Sequence, residues 1–276
     1  ELYSSAQEDL LQPYTRGVLY YDGETFEPDF QETEDGPLKV WCHRDARGTP
    51  VTSGDYVIGC DIAAGLGGSY SSNSVAVVVD NVTGQQVAEF ASNTVRPDDF
   101  AELVISMCHW FNDAYLIWEH NDAPGGAFTR RVVDASYGKI FFREIEGRAY
   151  RKKTRNPGFF TTDKNKLALL GRMAGAIQSK EYVVRSKILL EECRQYVYKD
   201  GKVVHSRSVK TQDDSSKGQA HGDRVIAAAL AWYGCVDRLP DNKVDPEEFD
   251  QIPYGSMAWR LKKHDDKATV NINDGW

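Results

Sequence analysis

The chain has 276 residues and a mass of 31.0 kDa, and its 41% hydrophobic and 27% charged residues exclude a collagen-like or wholly disordered protein. No run approaches the roughly 18 consecutive apolar residues of a membrane-spanning helix, and no N-terminal signal segment is visible, so we expect a soluble chain without a membrane partner. The net charge is −8, and five scattered cysteines without a Cys-x-x-Cys pair favour a reducing compartment over a disulfide framework or zinc site.

The charge distribution predicts three parts. Residues 1–50 have a net charge of −7 and residues 236–276 a net charge of −3, whereas residues 51–235 have a net charge of +2. Many Glu, Asp, Gly and Pro residues with little periodicity predict an acidic N-terminal arm or linker over residues 1–49, and a polar C-terminal tail is expected over the last of these parts. The folded domain is therefore expected over residues 50–235.

Apolar runs in the middle of the chain predict alternating strands and helices. Three strands come first, at Tyr56–Ile62, Ser74–Asp80 and Gln86–Ser92, and a helix with one apolar face begins at Pro97. The later predicted elements are a strand at Tyr115–Glu119, a helix at Ala123–Ala135, a strand at Lys139–Phe142, a helix at Thr162–Ser179, a hairpin at Tyr196–His205 and a helix at Ala220–Tyr233. This alternation predicts an α/β fold with helices covering a sheet.

Three acidic residues stand beside these apolar segments. Asp61 and Glu119 end two strands, and Asp223 begins the last helix, where a charged side chain is unfavourable unless it is paired or binds a cation. Asp61 is also explained by an Asx-turn and Asp223 by a helix cap, but Glu119 has no comparable local explanation. If the two strands are neighbours, their carboxylates lie together at one edge of the sheet. With Asp223 they would form an oxygen-rich site suited to Mg²⁺ or Mn²⁺.

Four segments carry a resemblance to a known family: YVIGCDIAAGLGGSYSSNSVAVVVD, YLIWEHNDAPGGAFTRRVVD, TTDKNKLALLGRM and AHGDRVIAAALAWYG. They resemble the C-terminal nuclease domain of the large terminase subunit of tailed bacteriophages over about residues 50–235. The resemblance implies a ribonuclease H-like fold, a mixed central sheet flanked by helices. It also implies a metal-dependent endonuclease that cleaves concatemeric double-stranded DNA by two-metal phosphodiester hydrolysis. Asp61, Glu119 and Asp223 would then be the catalytic residues and the ligands of two divalent cations, Mg²⁺ or Mn²⁺.

The same resemblance implies partners and a location. Besides double-stranded DNA, the expected partners are a packaging ATPase domain, the portal and the small terminase subunit, in the host cytoplasm at the viral procapsid and not in the mature virion. The chain departs from the family in three respects, one of which is that a frequent auxiliary acid falls where this chain has Gly67 to Tyr70. Many members carry His-Asp-Asp where this chain has His221-Gly222-Asp223, and the chain contains no G-x-x-x-x-G-K-[ST] phosphate-binding motif, so we expect no DNA translocation.

Several cationic and histidine side chains are candidates for supporting roles. Lys166 is a candidate DNA contact or, alternatively, a solvated helix lysine. A basic cluster is a second candidate for DNA contact, either as a loop that grips DNA or, alternatively, as a solvated run of charges. It consists of Arg151, Lys152, Lys153 and Arg155. His120 and His221 each neighbour one of the three acidic residues. They are candidates to orient water or a phosphate, although a structural hydrogen-bonding role is the alternative.

Three other functions compete with this interpretation. A junction resolvase, transposase or ribonuclease would share the fold and the acidic residues but cleave another substrate. A catalytically silent module that docks on DNA or on the portal would keep the fold without the chemistry. A sugar-kinase or actin-like ATPase could use Asp61 with the following Gly/Ser turn, but the chain lacks a second phosphate loop and an adenosine-binding Gly pair.

Overall fold

The computed structural model describes residues 6–51, 53–68, 71–146, 151–199, 202–205 and 222–237. The strands are β1 Thr15–Tyr21, β2 Pro28–Glu32, β3 Leu38–Val40, β4 His43–Arg44, β5 Pro50–Val51, β6 Tyr56–Asp61, β7 Ser74–Asp80, β8 Gln86–Ser92, β9 Tyr115–Trp118, β10 Phe142–Glu146, β11 Arg151–Pro157, β12 Tyr196–Lys199 and β13 Lys202–His205. The helices are α1 Pro97–Trp110, α2 Asp122–Asp134, α3 Asp163–Gln178, α4 Lys187–Cys193 and α5 Asp223–Asp237.

Seven strands form the central sheet, in the order β2-β1-β3-β8-β7-β6-β9. All neighbouring pairs are antiparallel except β6 and β9, which run parallel. Three β-hairpins, β4-β5, β10-β11 and β12-β13, lie outside this sheet. The mixed sheet flanked by helices confirms the predicted α/β fold class.

Strands β6, β7 and β9 are apolar along their length because helices cover both faces of the sheet. Alternate residues of β6 enter different hydrophobic clusters. Ile58 packs in the cluster that contains Phe100 and Val104 of α1, and Val57 packs in the cluster that contains Leu170 of α3 and Leu230 of α5. The sheet is therefore the middle layer between α1 and α2 on one side and α3, α4 and α5 on the other.

Helix α5 lies directly against β6 and runs in the opposite direction. A Cβ atom at Gly59 would be 2.1 Å from the carbonyl oxygen of Ala227, and one at Gly234 would be 2.7 Å from Val57. Glycine is therefore required at both contacts, and the small side chains of α5 permit this close approach. The N-terminus of α5 consequently lies at the end of β6 where Asp61 is found.

The N-terminal region differs from the prediction of an acidic arm or linker over residues 1–49. Its strands β1, β2 and β3 extend the central sheet, with β3 hydrogen-bonded to β8. Leu19, Leu38 and Val40 are buried in the core. Alternate apolar residues in an otherwise acidic segment suffice for strands with one face on the core, a pattern that the high density of Glu, Asp and Gly obscured.

The basic segment also differs from its prediction as a loop. Arg151–Pro157 forms β11, which pairs with β10; in the backbone register Ile145 is paired with Lys152 and Glu144 with Lys153. The strand predicted at Lys139–Phe142 is limited to an isolated parallel bridge between Leu116 and Ile140, and β10 begins at Phe142.

The described residues belong to one compact unit that ends at Asp237. The tail predicted over residues 236–276 lies almost entirely outside the described residues. None of the helices in the described part of the chain is both long and apolar enough to cross a membrane.

Candidate active site

The register of two parallel strands brings Asp61 and Glu119 together. Cys60 of β6 is paired with Trp118 of β9, so the next residue of each strand lies beside the other. The backbone N–H of Glu119 donates a hydrogen bond to the carbonyl of Cys60 at 3.0 Å, and the carboxyl group of Glu119 lies close enough to Asp61 to raise its pKa. Strands β6 and β9 are therefore neighbours, which is the condition on which the predicted site depends.

Asp223 reaches the same place from α5. Asp223 precedes Ala227 by about one helical turn, which is about 6 Å along the helix axis. Asp61 follows Gly59 by two residues, which is about 6.6 Å along the strand. Because Ala227 contacts Gly59 and the helix runs opposite to the strand, Asp223 and Asp61 lie at the same height along the strand direction. Asp223 is buried, with 8% of its surface exposed, and its charge acts directly on Asp61.

The surroundings of Asp61 make its negative charge unfavourable. Burial raises the pKa of Asp61 well above its ordinary value, and the neighbouring carboxylates of Glu119 and Asp223 raise it further. Lys166 acts in the opposite direction and lowers the pKa of Asp61. Three carboxyl groups and one ammonium group therefore share this site, and a bound cation would relieve the remaining repulsion.

The chemistry of the donor set fits hard divalent cations. Carboxylate oxygens are the ligands that Mg²⁺ and Mn²⁺ prefer. Within the described ranges, no three His, Cys, Asp or Glu side chains are arranged to hold a single ion together. The donor atoms at this site therefore suit a divalent cation by their chemistry, whereas their spacing in the described residues does not gather three of them around one point.

Two neighbours orient the outer carboxylates, and sequence reasoning missed both. The side-chain amide of Asn121 donates to Glu119 Oε1 at 3.3 Å and to the carbonyl of Thr161 at 3.1 Å, while its oxygen accepts from the backbone N–H of Thr161 at 3.1 Å. The backbone N–H of Asn73 donates to Asp223 Oδ2 at 2.6 Å. Asn121 is fixed by Thr161, 40 residues away, and Asn73 lies 150 residues from Asp223, so no local sequence pattern indicates either arrangement.

Lys166 and Tyr196 flank the three carboxylates. Lys166 is half-buried on α3, and its Nζ atom lies 5.6 Å from the centre of the Tyr196 ring. Burial raises the pKa of Tyr196, and the charges of Asp61 and Asp223 raise it further. The hydroxyl of Tyr196 donates to the carbonyl of Gly222 at 3.2 Å. The Tyr196 ring therefore packs directly against Gly222. A Cβ atom at Gly222 would be 2.3 Å from the Tyr196 hydroxyl oxygen.

Directly after Asp223, Arg224 anchors the beginning of α5 through buried ion pairs. Its side chain donates to Glu192 Oε1 at 2.6 Å and to Glu89 Oε1 at 3.1 Å, and its backbone N–H donates to Glu192 Oε2 at 3.0 Å. Burial alone would raise the pKa of Glu89, but Arg224 and Lys39 outweigh it and hold that pKa below its usual value. Because Arg224 is fixed by β8 and α4, the position of Asp223 is fixed as well.

The remaining predicted residues have different settings. His120 Nδ1 lies 2.5 Å from Thr129 Oγ1, which is a structural hydrogen bond, and burial lowers the pKa of His120. The four basic residues of the predicted cluster lie on β11; their side chains are outside the described residues, and so is His221. Among the predicted supporting residues whose side chains the structure describes, Lys166 is the one whose charge acts on Asp61.

Comparisons with known proteins give a relationship at the level of fold. No protein-family model matches the chain, and no curated protein matches it. Among solved structures, it is similar to the large terminase nuclease from thermophilic phage G20c, with a TM-score of 0.51 and 18% identity over 84% of this chain and 97% of that one. The same nuclease with bound magnesium gives a TM-score of 0.52 and 18% identity over 84% and 96% of the two chains. The chain thus has the ribonuclease H-like fold found in large terminase nucleases of phages.

Proposed function

We propose that the chain is the metal-dependent endonuclease domain of a viral DNA-packaging terminase and that it cleaves concatemeric double-stranded DNA. The observation that carries this proposal is the meeting of Asp61, Glu119 and Asp223 at the end of β6. Terminase nucleases with this fold have been solved with magnesium and with cobalt bound, which supports a divalent cation at the three carboxylates.

Each residue of the site has a separate task in the proposed reaction. Asp61 would be a ligand of both cations, and Glu119 and Asp223 would each be a ligand of one. Two Mg²⁺ or Mn²⁺ ions would supply an activated water for in-line attack and neutralise the leaving oxygen of the phosphodiester. Asn121 keeps Glu119 oriented and the N–H of Asn73 keeps Asp223 oriented, which reduces the reorganisation that binding requires.

Lys166 would position the scissile phosphate. Its ammonium group is the one cationic side chain whose effect on Asp61 the structure records, and a half-buried position limits its screening by water. Contacts of this kind read the phosphate backbone rather than base edges, so we expect cleavage with little sequence preference. The basic residues of β11 are proposed as further backbone contacts: Arg151, Lys152, Lys153 and Arg155.

The wider assignment is part of the same proposal. A terminase nuclease would work beside a packaging ATPase domain, the portal and the small terminase subunit, at the procapsid in the host cytoplasm. A junction resolvase or transposase would keep the same three carboxylates and is distinguished by its preference for branched DNA or for defined ends.

The test is nicking of supercoiled plasmid by the full chain with Mg²⁺, Mn²⁺ or EDTA. We expect cutting by the wild type with either ion, none in EDTA, and loss of cutting in Asp61→Asn and Asp223→Asn. The matched control is Asp134→Asn, an exposed carboxylate at the end of α2, which should cut like the wild type.

Three results would contradict the proposal. Equal cutting by wild type and Asp61→Asn would place the activity outside the three carboxylates. A folded wild type that binds duplex DNA but does not cut with either ion would favour a silent docking module. A strong preference for four-way junctions over linear duplex would favour a resolvase.

A further inference from the structure

A cavity of about 530 Å³ lies between α3, α5 and the segment that precedes α3. This volume is within the range of small-molecule sites and is sufficient for one nucleotide. Cationic and aromatic side chains make up most of its walls, and none of the described residues that line it is a carboxylate. None of the three carboxylates of the candidate active site belongs to it.

Three cations give the cavity its charge: Arg143, Lys164 and Arg172. Arg143 is half-buried, donates to the carbonyl of Gly158 at 2.9 Å, and has a pKa lowered by burial. None of the ion pairs among the described residues involves Lys164 or Arg172. A cavity with three such cations is complementary to an anion, and both Arg and Lys bind phosphate through charge-assisted hydrogen bonds.

Aromatic rings form the other wall. The Tyr233 ring centre lies 5.3 Å from that of Phe159 and 5.9 Å from that of Phe141, and these rings form a packed apolar floor. Phe160 is 50% exposed at the rim, with the Arg143 guanidinium 5.4 Å from its ring centre. An exposed ring beside a stacked guanidinium is a platform on which a nucleobase can stack.

The cavity adjoins the candidate active site through one stretch of backbone. Phe159 forms a parallel bridge with Glu119, and its N–H donates to the carbonyl of Trp118 at 2.7 Å. Phe160 follows directly, and Thr161 is held by Asn121, the residue that donates to Glu119. Consecutive residues, 159 to 161, thus join the cavity to the candidate active site, so a DNA strand bound at the three carboxylates would lie near the cavity.

We propose that this cavity binds a single unstacked nucleotide of a DNA strand, with its base on Phe160 and its phosphate among Arg143, Lys164 and Arg172. This inference rests on the proposed function, which supplies the DNA strand. It adds a subsite for single-stranded DNA, such as a frayed or newly cut end, to a site that acts on duplex DNA.

The test is binding of a single-stranded oligonucleotide that contains 2-aminopurine to the full chain in EDTA, where no cutting occurs. We expect the wild type to quench the fluorescence of the analogue through stacking. Phe160→Ala should abolish this quenching and weaken binding at least about fivefold. Arg172→Gln should weaken binding and reduce the slope of log K against log salt by about 0.7.

Matched controls exist for both changes. Tyr20→Ala removes an aromatic ring with 51% exposure on β1, and Arg130→Gln removes an exposed guanidinium on α2; both should bind the oligonucleotide like the wild type. Unchanged binding by Phe160→Ala, or an equal loss in Tyr20→Ala, would overturn the proposal. If Phe160→Ala lost binding to the matching duplex equally, the cavity would be a duplex contact. If an equal concentration of dAMP displaced the strand, the cavity would be a free-nucleotide site. Either result would also overturn the proposal.

Plasmid nicking separates this inference from the proposed function. If the wild type nicks plasmid in a reaction that needs both metal and Asp61, but Phe160→Ala binds the oligonucleotide normally, the cavity assignment alone is wrong. If the wild type neither nicks plasmid nor binds duplex or single-stranded DNA, both proposals are wrong.

Discussion

Gly59 of β6 and Ala227 of α5 are in direct backbone contact: a Cβ atom at Gly59 would lie 2.1 Å from the Ala227 carbonyl oxygen. This contact sets the distance between strand and helix and thereby brings Asp223 to Asp61. The position of the candidate active site therefore depends on a residue that has no side chain.

Gly59→Ala should destabilise the protein and separate the carboxylates. Since the contact atoms belong to backbone, the helix must move outward, and overpacking of this kind costs roughly 1–3 kcal/mol or more. Urea unfolding measures the loss. The control is Gly171→Ala, an exposed glycine of α3 with nothing within 4 Å of its added Cβ, which should stabilise the helix by about 0.5–1 kcal/mol. Equal stability of Gly59→Ala and the wild type would contradict the close contact.

Lys166→Met should reduce plasmid nicking by about tenfold or more without loss of folding, because it removes a positive charge that acts on Asp61. Lys166→Arg should retain part of the activity, since it keeps the charge. Lys187→Met, at an exposed position on α4, is the control and should nick normally. The measurement is the nicking rate at saturating metal, with thermal unfolding in parallel. A wild-type rate in Lys166→Met would assign Lys166 to the helix surface alone.

Asn121→Ala should increase the metal concentration needed for half-maximal nicking by about 10- to 100-fold, because Glu119 loses the amide that orients it. A titration of Mn²⁺ at fixed plasmid concentration measures this shift. Gln31→Ala, which removes an exposed amide on β2, should leave the titration unchanged. If Asn121→Ala only lowers thermal stability and leaves the titration where it was, the residue has a structural role.

Glu192 should make the stability of the wild type depend on pH. Burial raises the pKa of Glu192 to about 7, an effect that Arg224 only partly offsets, whereas its ordinary value is 4.5. A folded-state pKa above the unfolded value favours the protonated native protein. The resulting stabilisation is complete below pH 4.5 and is lost as pH rises through 7, by up to about 3 kcal/mol in the free energy of unfolding.

Glu192→Gln cannot titrate, so its stability relative to the wild type should rise between about pH 5 and about pH 8. Urea unfolding at both values measures this difference. Glu191→Gln, an exposed neighbour on the same helix, is the control and should follow the wild type at both. Parallel behaviour of Glu192→Gln and the wild type would show that Arg224 holds Glu192 ionised throughout this range.

Much of the fold was predictable because its strands and helices are locally periodic. The apolar runs at Ser74–Asp80 and Gln86–Ser92 agree with β7 and β8 at both ends. The predicted start of a helix at Pro97 agrees with α1, since proline at the first helical position is favourable there. The prediction of a strand at Lys139–Phe142 was wrong. Ile140 and Phe141 are buried, so the segment is as apolar as a strand, but it forms no ladder of strand hydrogen bonds.

The N-terminal strands and the supporting contacts of the site were not predictable from local sequence. Strands β1 to β3 lie in an acidic segment, and they join the central sheet through the pairing of β3 with β8. Asn121 and Arg224 act through partners that are distant in the chain, and no periodicity records such contacts. The cavity beside the site likewise combines α3, α5 and a loop, none of which is unusual by itself.

The sequence by itself determined which residues are anomalous: three carboxylates at the ends of apolar segments, where a charge is unfavourable without a partner. It also determined the alternation of strands and helices, because hydrophobic periodicity is a local property. Only the tertiary structure decided that β6 and β9 are parallel neighbours and that α5 lies against Gly59. Those contacts join residues 58 and more than 160 positions apart, and their geometry depends on packing rather than on any local pattern.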